Sequence, residues 1–322
     1  MNTNLDRRSL LAGLAGTVAA GVATGCETTP TADVRRGSPG WQGGRSPWPV
    51  CLDTATIRPA SLEDKVRIAA EAGFDAIEPW EGELRDYEAE GGSLLDLRKR
   101  IEDAGLFVPS VIGLWNAIPP NEEAWNAGLP EIRNRMRMAA AIGSQQIQVV
   151  PQPERPAADF DLAWASSRYR RLLEIGIAEY DLVPAMVFVE FLPGCARLGQ
   201  AAAIALDADH PEARIIPDAF HMHIGDSGFN GLRRLQGDFI AIFQFNDAPS
   251  SPSRPDLEDR HRVFPGDGIL PLEQCLRDLR DIGFERCVSL ELYNPEYWSR
   301  DLLEVAREGL EKTLCVMDRA LA

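Results

Sequence analysis

From Pro49 to the last residues, short apolar runs alternate with longer segments of helical periodicity, and this alternation restricts the fold more than any other feature. Val50-Cys-Leu-Asp-Thr-Ala-Thr56 reads as a first strand. Ser61 then offers an N-cap to a helix over 62–72, which Gly73 stops. Further strands are expected at 74–80, 107–114, 146–150, 185–190, 214–225, 239–246 and 287–292. Helices are expected at 93–104, 121–142 with a break near Gly128-Leu-Pro130, 161–180, 196–206, 270–282 and 301–320, with a short one at 231–236. About eight strand–helix units in roughly 270 residues match the size of a closed (β/α)8 barrel, so the expected fold class is α/β, a single TIM barrel over residues 48–322. A doubly wound open sheet is the alternative, but the glycine-rich phosphate turn after its first strand is missing.

The runs end in oxygen donors. Ile215-Ile216 leads into Asp218, His221 and His223; Val187-Phe-Val leads into Glu190; Val288-Ser-Leu leads into Glu291. The run from Ile240 delivers Gln244 and Asp247. In a barrel the carboxyl ends of all strands share one face. Glu190, Asp218, Gln244 and Glu291 would then point into one mouth, where three carboxylates repel unless a cation or protons neutralise them. Three carboxylates and an amide suit Mg2+ or Mn2+ better than Zn2+. Taken singly, each has a structural alternative: a buried ion pair for Glu190 or Glu291, a helix cap for Asp218. Four at equivalent strand ends favour a shared ion.

Lesser candidates surround this set. Arg262, in the loop after the seventh strand, is a candidate for the mouth or a plain surface arginine. Glu78 ends the second strand and reads as a substrate contact or a structural ion pair. Trp80, Trp115 and Trp298 follow strand ends and could stack on sugar faces or pack as wall. His223 lines the site or binds a loop, while His210 and His261 read as loop histidines.

The N-terminus is not barrel. Asp6-Arg-Arg-Ser-Leu-Leu11 precedes a small-residue apolar run, as in twin-arginine (Tat-type) export signals. Ala23-Thr-Gly-Cys26 looks like a lipoprotein cleavage box, though Ala23 stands where such boxes usually carry Leu. Residues 1–26 are therefore expected to direct export, to the periplasm or a lipid anchor on the membrane, and 27–47 to form a flexible linker. The other five cysteines match no zinc spacing and read mostly as small buried hydrophobes. The formal net charge of −16 argues against nucleic acid as a partner, whose phosphates need basic neutralisation.

Val187-Phe-Val-Glu-Phe-Leu-Pro193, Pro217-Asp-Ala-Phe-His221, Phe243-Gln-Phe-Asn-Asp-Ala-Pro249, Arg262-Val-Phe-Pro-Gly-Asp-Gly268 and Ser289-Leu-Glu291 together resemble the sugar phosphate isomerase/epimerase family of xylose isomerase-like TIM barrels. That group includes hydroxypyruvate isomerase, inosose dehydratase and ketose 3-epimerases. The resemblance covers about Pro49 to Leu321. It implies that Glu190 and Glu291 ligate the metal and act as acid and base, and that Asp218 and Gln244 complete the shell. It also implies that His221 donates to a substrate oxygen. Several members carry His where Gln244 stands, which shifts metal preference or substrate. A cation bridging a hydroxyl and a carbonyl acidifies the neighbouring C–H and stabilises an enediolate, which a carboxylate can form by moving one proton.

The expected function is thus a metal-dependent isomerase, epimerase or lyase acting on a small sugar or keto-sugar. An exported acidic chain without a phosphate-cradling loop points to an unphosphorylated one. A non-catalytic carbohydrate-binding lipoprotein on the same barrel is the second reading, disfavoured by the paired Glu190 and Glu291. A multi-zinc phosphodiesterase is the third, disfavoured by only four histidines and the acidic charge.

Overall fold

The structure is a computed structural model that describes residues 40–152, 160–192 and 194–322. The proposed export signal, the Cys26 box and most of the proposed linker lie outside the described residues.

Eight parallel strands alternate with helices. In chain order they are β1 (Val50–Asp53), α1 (Leu62–Ala72), β2 (Ala76–Glu78), α2 (Glu81–Ala89), α3 (Leu94–Asp103), β3 (Val111–Leu114), α4 (Glu122–Ala141), β4 (Gln146–Val149), α5 (Leu162–Tyr180), β5 (Val183–Val187), α6 (Leu198–Asp207), β6 (Ile215–Ile216), α7 (Ala219–Ile224), β7 (Phe243–Phe245), α8 (Leu272–Asp281), β8 (Val288–Leu290), α9 (Pro295–Trp298) and α10 (Leu302–Leu321). The strands pair as β2-β1-β8-β7 and β3-β4-β5-β6. Parallel bridges Ala76↔Phe107 and Trp80↔Ile112 join β2 to β3. Ile215↔Ile240 and Asp218↔Gln244 join β6 to β7, closing the ring into a TIM barrel.

The strands are buried on both faces, which is why they read as apolar runs rather than alternating ones. The helices start where the sequence offers oxygen caps: Ser61, Ser93, Asn121, Asp161 and Asp301 each accept a backbone N–H of the first turn. Gly73, at φ 93°, closes α1 in the left-handed region.

Four expectations need correction. The sixth strand, expected over 214–225, is only Ile215–Ile216, because Asp218 caps a helix there: Ala219–Ile224, with His221 and His223, is α7. The helix at 121–142 does not break: Glu122–Ala141 is one helix with Pro130 inside it, on the exposed side with Asn126, where water can serve the carbonyl that a proline leaves unpaired. The helix α2, absent from the sequence reading, begins after Trp80 with no polar cap side chain at its start; Glu83 instead folds back to accept the Trp80 N–H at 3.0 Å. The end of the proposed linker is not free: Arg45 pairs with Glu311 (2.8 Å) and Asp318 (2.7 Å) of α10, and Gln42 donates to Asp75 at 2.8 Å.

Cys51, Cys195, Cys275 and Cys287 are buried thiols, and Cys315 is partly exposed; none of the five is in a disulfide. No helix among the described residues is long and apolar enough to cross a membrane.

Candidate active site at the barrel mouth

The carboxyl ends of β2 to β8 converge on a cavity of about 90 Å³ lined by Trp80, Trp115, Gln148, His221, Gln244, Glu291 and Tyr293, among others. A larger groove of about 850 Å³ lies outside it between α1 and α2, with Trp80 in the wall common to both. The chemistry belongs to the smaller space, where the buried titratable groups face.

Asp218 follows β6 directly and caps α7, its Oδ1 accepting the His221 N–H at 2.8 Å. The cap and the candidate ligand are thus one residue. Asn246 clamps the pair, donating to Asp218 Oδ2 at 3.0 Å and accepting the Phe220 N–H at 2.9 Å. Gln244 sits opposite Asp218 in the parallel bridge and is 5% exposed. Its side-chain amide has no hydrogen-bond partner among the described residues.

Arg262 occupies the centre. It is 1% exposed, and its Nη1 donates to Asp218 Oδ2 and to Glu291 Oε2, each at 2.8 Å. Its Nη2 lies 2.8 Å from His221 Nε2, and Nε and Nη2 both reach Asp259. Because a guanidinium only donates, His221 Nε2 accepts and its proton sits on Nδ1. Nδ1 stands 2.7 Å from Glu190 Oε2, yet the two are not aligned for a hydrogen bond and both are buried polar atoms without one.

Arg262 reaches this place because its loop is pinned. Asp247, first read as an oxygen donor to the mouth, accepts four backbone N–H groups, from Ala248, Gly266, Gly268 and Leu270. Gly268 must be glycine, since a Cβ there would stand 2.2 Å from Ala248 O.

Glu291 accepts the Tyr293 hydroxyl at 2.7 Å. Burial pushes its carboxyl up to about 8; the Arg262 charge pulls the other way, and Asp218 adds to the rise. Burial also opposes ionisation of Asp218, but Arg262 and His221 outweigh it and hold that carboxyl below its ordinary value. Two neighbouring carboxylates therefore differ, one ionised and one ready to carry a proton.

Glu190 is placed three residues past β5, in a turn, with its side chain 29% exposed. Trp115 stacks on Trp80 with centroids 5.9 Å apart, forming one wall of the cavity. Glu78 lies elsewhere. It is fully buried beneath the mouth, where Gln148 and Ser289 donate to its two oxygens at 2.8 Å each, so it forms floor rather than substrate surface. Trp298 is tied to Ala55 O at 2.9 Å and packs against Arg58. His223 is partly exposed. Tyr293, Asn246 and Asp259 escaped the sequence reading. Only Tyr293 carried a signal, two residues past a strand-end glutamate.

The donors fit an oxygen-ligated divalent cation in kind, and the buried Glu190 Oε2 and the Gln244 amide lack partners. In this conformation, however, no three His, Cys, Asp or Glu side chains among the described residues are gathered as one metal's ligands. Arg262 takes the oxygens between Asp218 and Glu291 that an ion would need.

The chain belongs to the xylose isomerase-like TIM barrel family, whose model matches residues 66–313. It is 24% identical over 274 residues to an inosose isomerase of Bacillus velezensis, spanning 84% of this chain and 97% of that one. It is 24% identical over 262 residues to a 3-dehydroshikimate dehydratase of Pseudomonas putida, spanning 79% of this chain and 39% of that protein. The crystal structure of the IOLI protein with a bound zinc atom superposes with a TM-score of 0.78 at 23% identity, over 85% of this chain and 99% of that one. Membership of this family and these relatives make the chain an isomerase- or epimerase-like enzyme, a class that extends to dehydratases.

Proposed function

We propose that the protein moves a proton next to the carbonyl of an unphosphorylated sugar or keto-sugar, as an isomerase, an epimerase or a related dehydrating lyase. The observation that carries this reading is the pair of carboxylates at the mouth, Glu291 buried and held by Arg262 and Tyr293, Glu190 half-open beside His221.

Glu291 and Glu190 would serve as acid and base on opposite faces of the substrate. His221 Nδ1 stands 2.7 Å from Glu190 Oε2, so its N–H is at hand for a substrate oxygen that comes to rest beside Glu190. Arg262 holds Asp218, Glu291 and His221 in place around the mouth, and Trp115 with Trp80 supplies an apolar wall that limits water at the reacting carbon. A net charge of −16 works against a phosphorylated substrate.

Glu190, Asp218, Gln244 and Glu291 are the residues that would hold a divalent cation, with Mg2+ or Mn2+ suiting the oxygen set and zinc remaining open, since the IOLI structure carries it. Bound there, the ion would supply Lewis-acid polarisation of a carbonyl and its neighbouring hydroxyl. The N-terminal sequence supports an exported protein, periplasmic or lipid-anchored.

The test is deuterium incorporation from solvent into a panel of neutral ketoses, inososes and keto-glycosides with Mn2+ added. Exchange at the carbon beside the carbonyl is the expected result. No exchange into any of them, from folded metal-loaded protein, would contradict the reading.

A further inference from the structure

The oxygens that a cation would need at the mouth already hold protein hydrogens. Asp218 Oδ1 accepts from the His221 backbone, and Oδ2 accepts from Asn246 and Arg262. Glu291 Oε1 accepts from Tyr293, and Oε2 accepts from the same Arg262 Nη1. One guanidinium nitrogen therefore bridges the two carboxylates where they converge. The guanidinium is packed between the rings of Phe220 and Tyr293, 5.1 and 4.9 Å from their centroids. Each carboxylate keeps a further lone pair, but Nη1 stands where the two converge, and two positive charges so close in a buried site repel strongly.

We propose that Arg262 and the divalent cation are alternative occupants of the Asp218–Glu291 pair, so that metal enters only as Arg262 Nη1 lets go. This rests on the metal-assisted reading above. The arginine has a place to withdraw to. Asp259 accepts Nε at 3.0 Å and Nη2 at 2.8 Å, and its side chain is 34% exposed, on the solvent side of the cluster. Glu190, whose side chain is the most open of the four candidate ligands, and Gln244 would make the first contacts with an arriving ion. While Arg262 remains between the carboxylates it neutralises them and keeps the metal-free barrel mouth assembled. Metal affinity is then lowered in proportion to the fraction of molecules in which the arginine has swung away.

The experiment is Mn2+ titration followed by electron paramagnetic resonance on the full chain, comparing wild type, Arg262→Met and Arg262→Lys, with Asp218→Asn marking the site. Arg262→Met should bind one Mn2+ about tenfold tighter or more, because the competing charge is gone. Arg262→Lys keeps a buried positive charge, and with it the fold, but lacks the planar fork that spans two carboxylates. It should bind Mn2+ several-fold tighter than wild type and decides the matter if Arg262→Met fails to fold. Affinity equal to or weaker than wild type in the folded variants would overturn the inference alone. No site-specific Mn2+ binding in wild type or any variant would overturn the metal-assisted reading as well.

Discussion

Arg262 Nη1 lies 2.8 Å from Asp218 Oδ2, and both side chains are 1% exposed. An ion pair this deep gains little over an apolar pair of the same shape, yet removing one partner strands the other charge at a cost of about 3–5 kcal/mol. The pair is therefore there for chemistry more than for stability. Asp218→Ala should lower the melting temperature of the metal-free protein and also abolish the upward shift that Mn2+ gives wild type by mass action. Thermal unfolding with EDTA and with Mn2+ measures both; a surviving Mn2+ shift would remove Asp218 from the ligand set.

Glu291→Gln keeps the shape of the side chain and its contact with Tyr293 but cannot exchange a proton. Turnover should fall by about 10²-fold or more, in the range for a lost general acid or base. Circular dichroism and gel filtration should be unchanged. Wild-type turnover in the variant would place the proton-transfer group elsewhere.

The same substitution carries a pH signature in metal-free protein. Glu291 is held up at about 8 against an ordinary 4.5, so the native state keeps a proton that the unfolded chain releases. That contribution is fully present below about 4.5 and is lost as pH rises through 8. Wild type should therefore lose stability relative to Glu291→Gln between pH 5 and pH 8, by on the order of a few kcal/mol. Urea unfolding of both proteins in EDTA at several pH values tests this, and parallel curves would contradict it.

Glu78 should behave as floor. Its loss leaves the buried Gln148 amide and Ser289 hydroxyl without their acceptor. Glu78→Ala is expected to cost about 2–4 kcal/mol through two unpaired donors and a cavity. Whatever activity remains should keep the wild-type KM. A raised KM at unchanged unfolding free energy would restore Glu78 to the substrate's surface.

The fold was legible because buried parallel strands and oxygen-capped helices write themselves into local sequence: Ile215-Ile216, Phe243 to Phe245, Ser61, Asn121 and Asp301 all did so. The candidate ligands were legible because they close those strands. Arg262 was only half legible. Its place at the centre depends on Asp247 gathering four amides from a loop of more than twenty residues, a long-range arrangement with no local signature. Glu78 and Glu291 look alike as strand-end glutamates. Which is floor and which is mouth follows from Gln148 and Ser289 lying across the barrel, and spacing along the chain does not encode that.

The central claim is that Glu190, Asp218, Gln244 and Glu291 can close around one ion. Crystals soaked in Mn2+, with anomalous diffraction collected at the manganese edge, test it directly. The account predicts one strong peak among those four side chains, with Arg262 Nη1 withdrawn from Asp218 and Glu291. A mouth without a peak, Arg262 still bridging the two carboxylates and manganese only at surface sites, would contradict it.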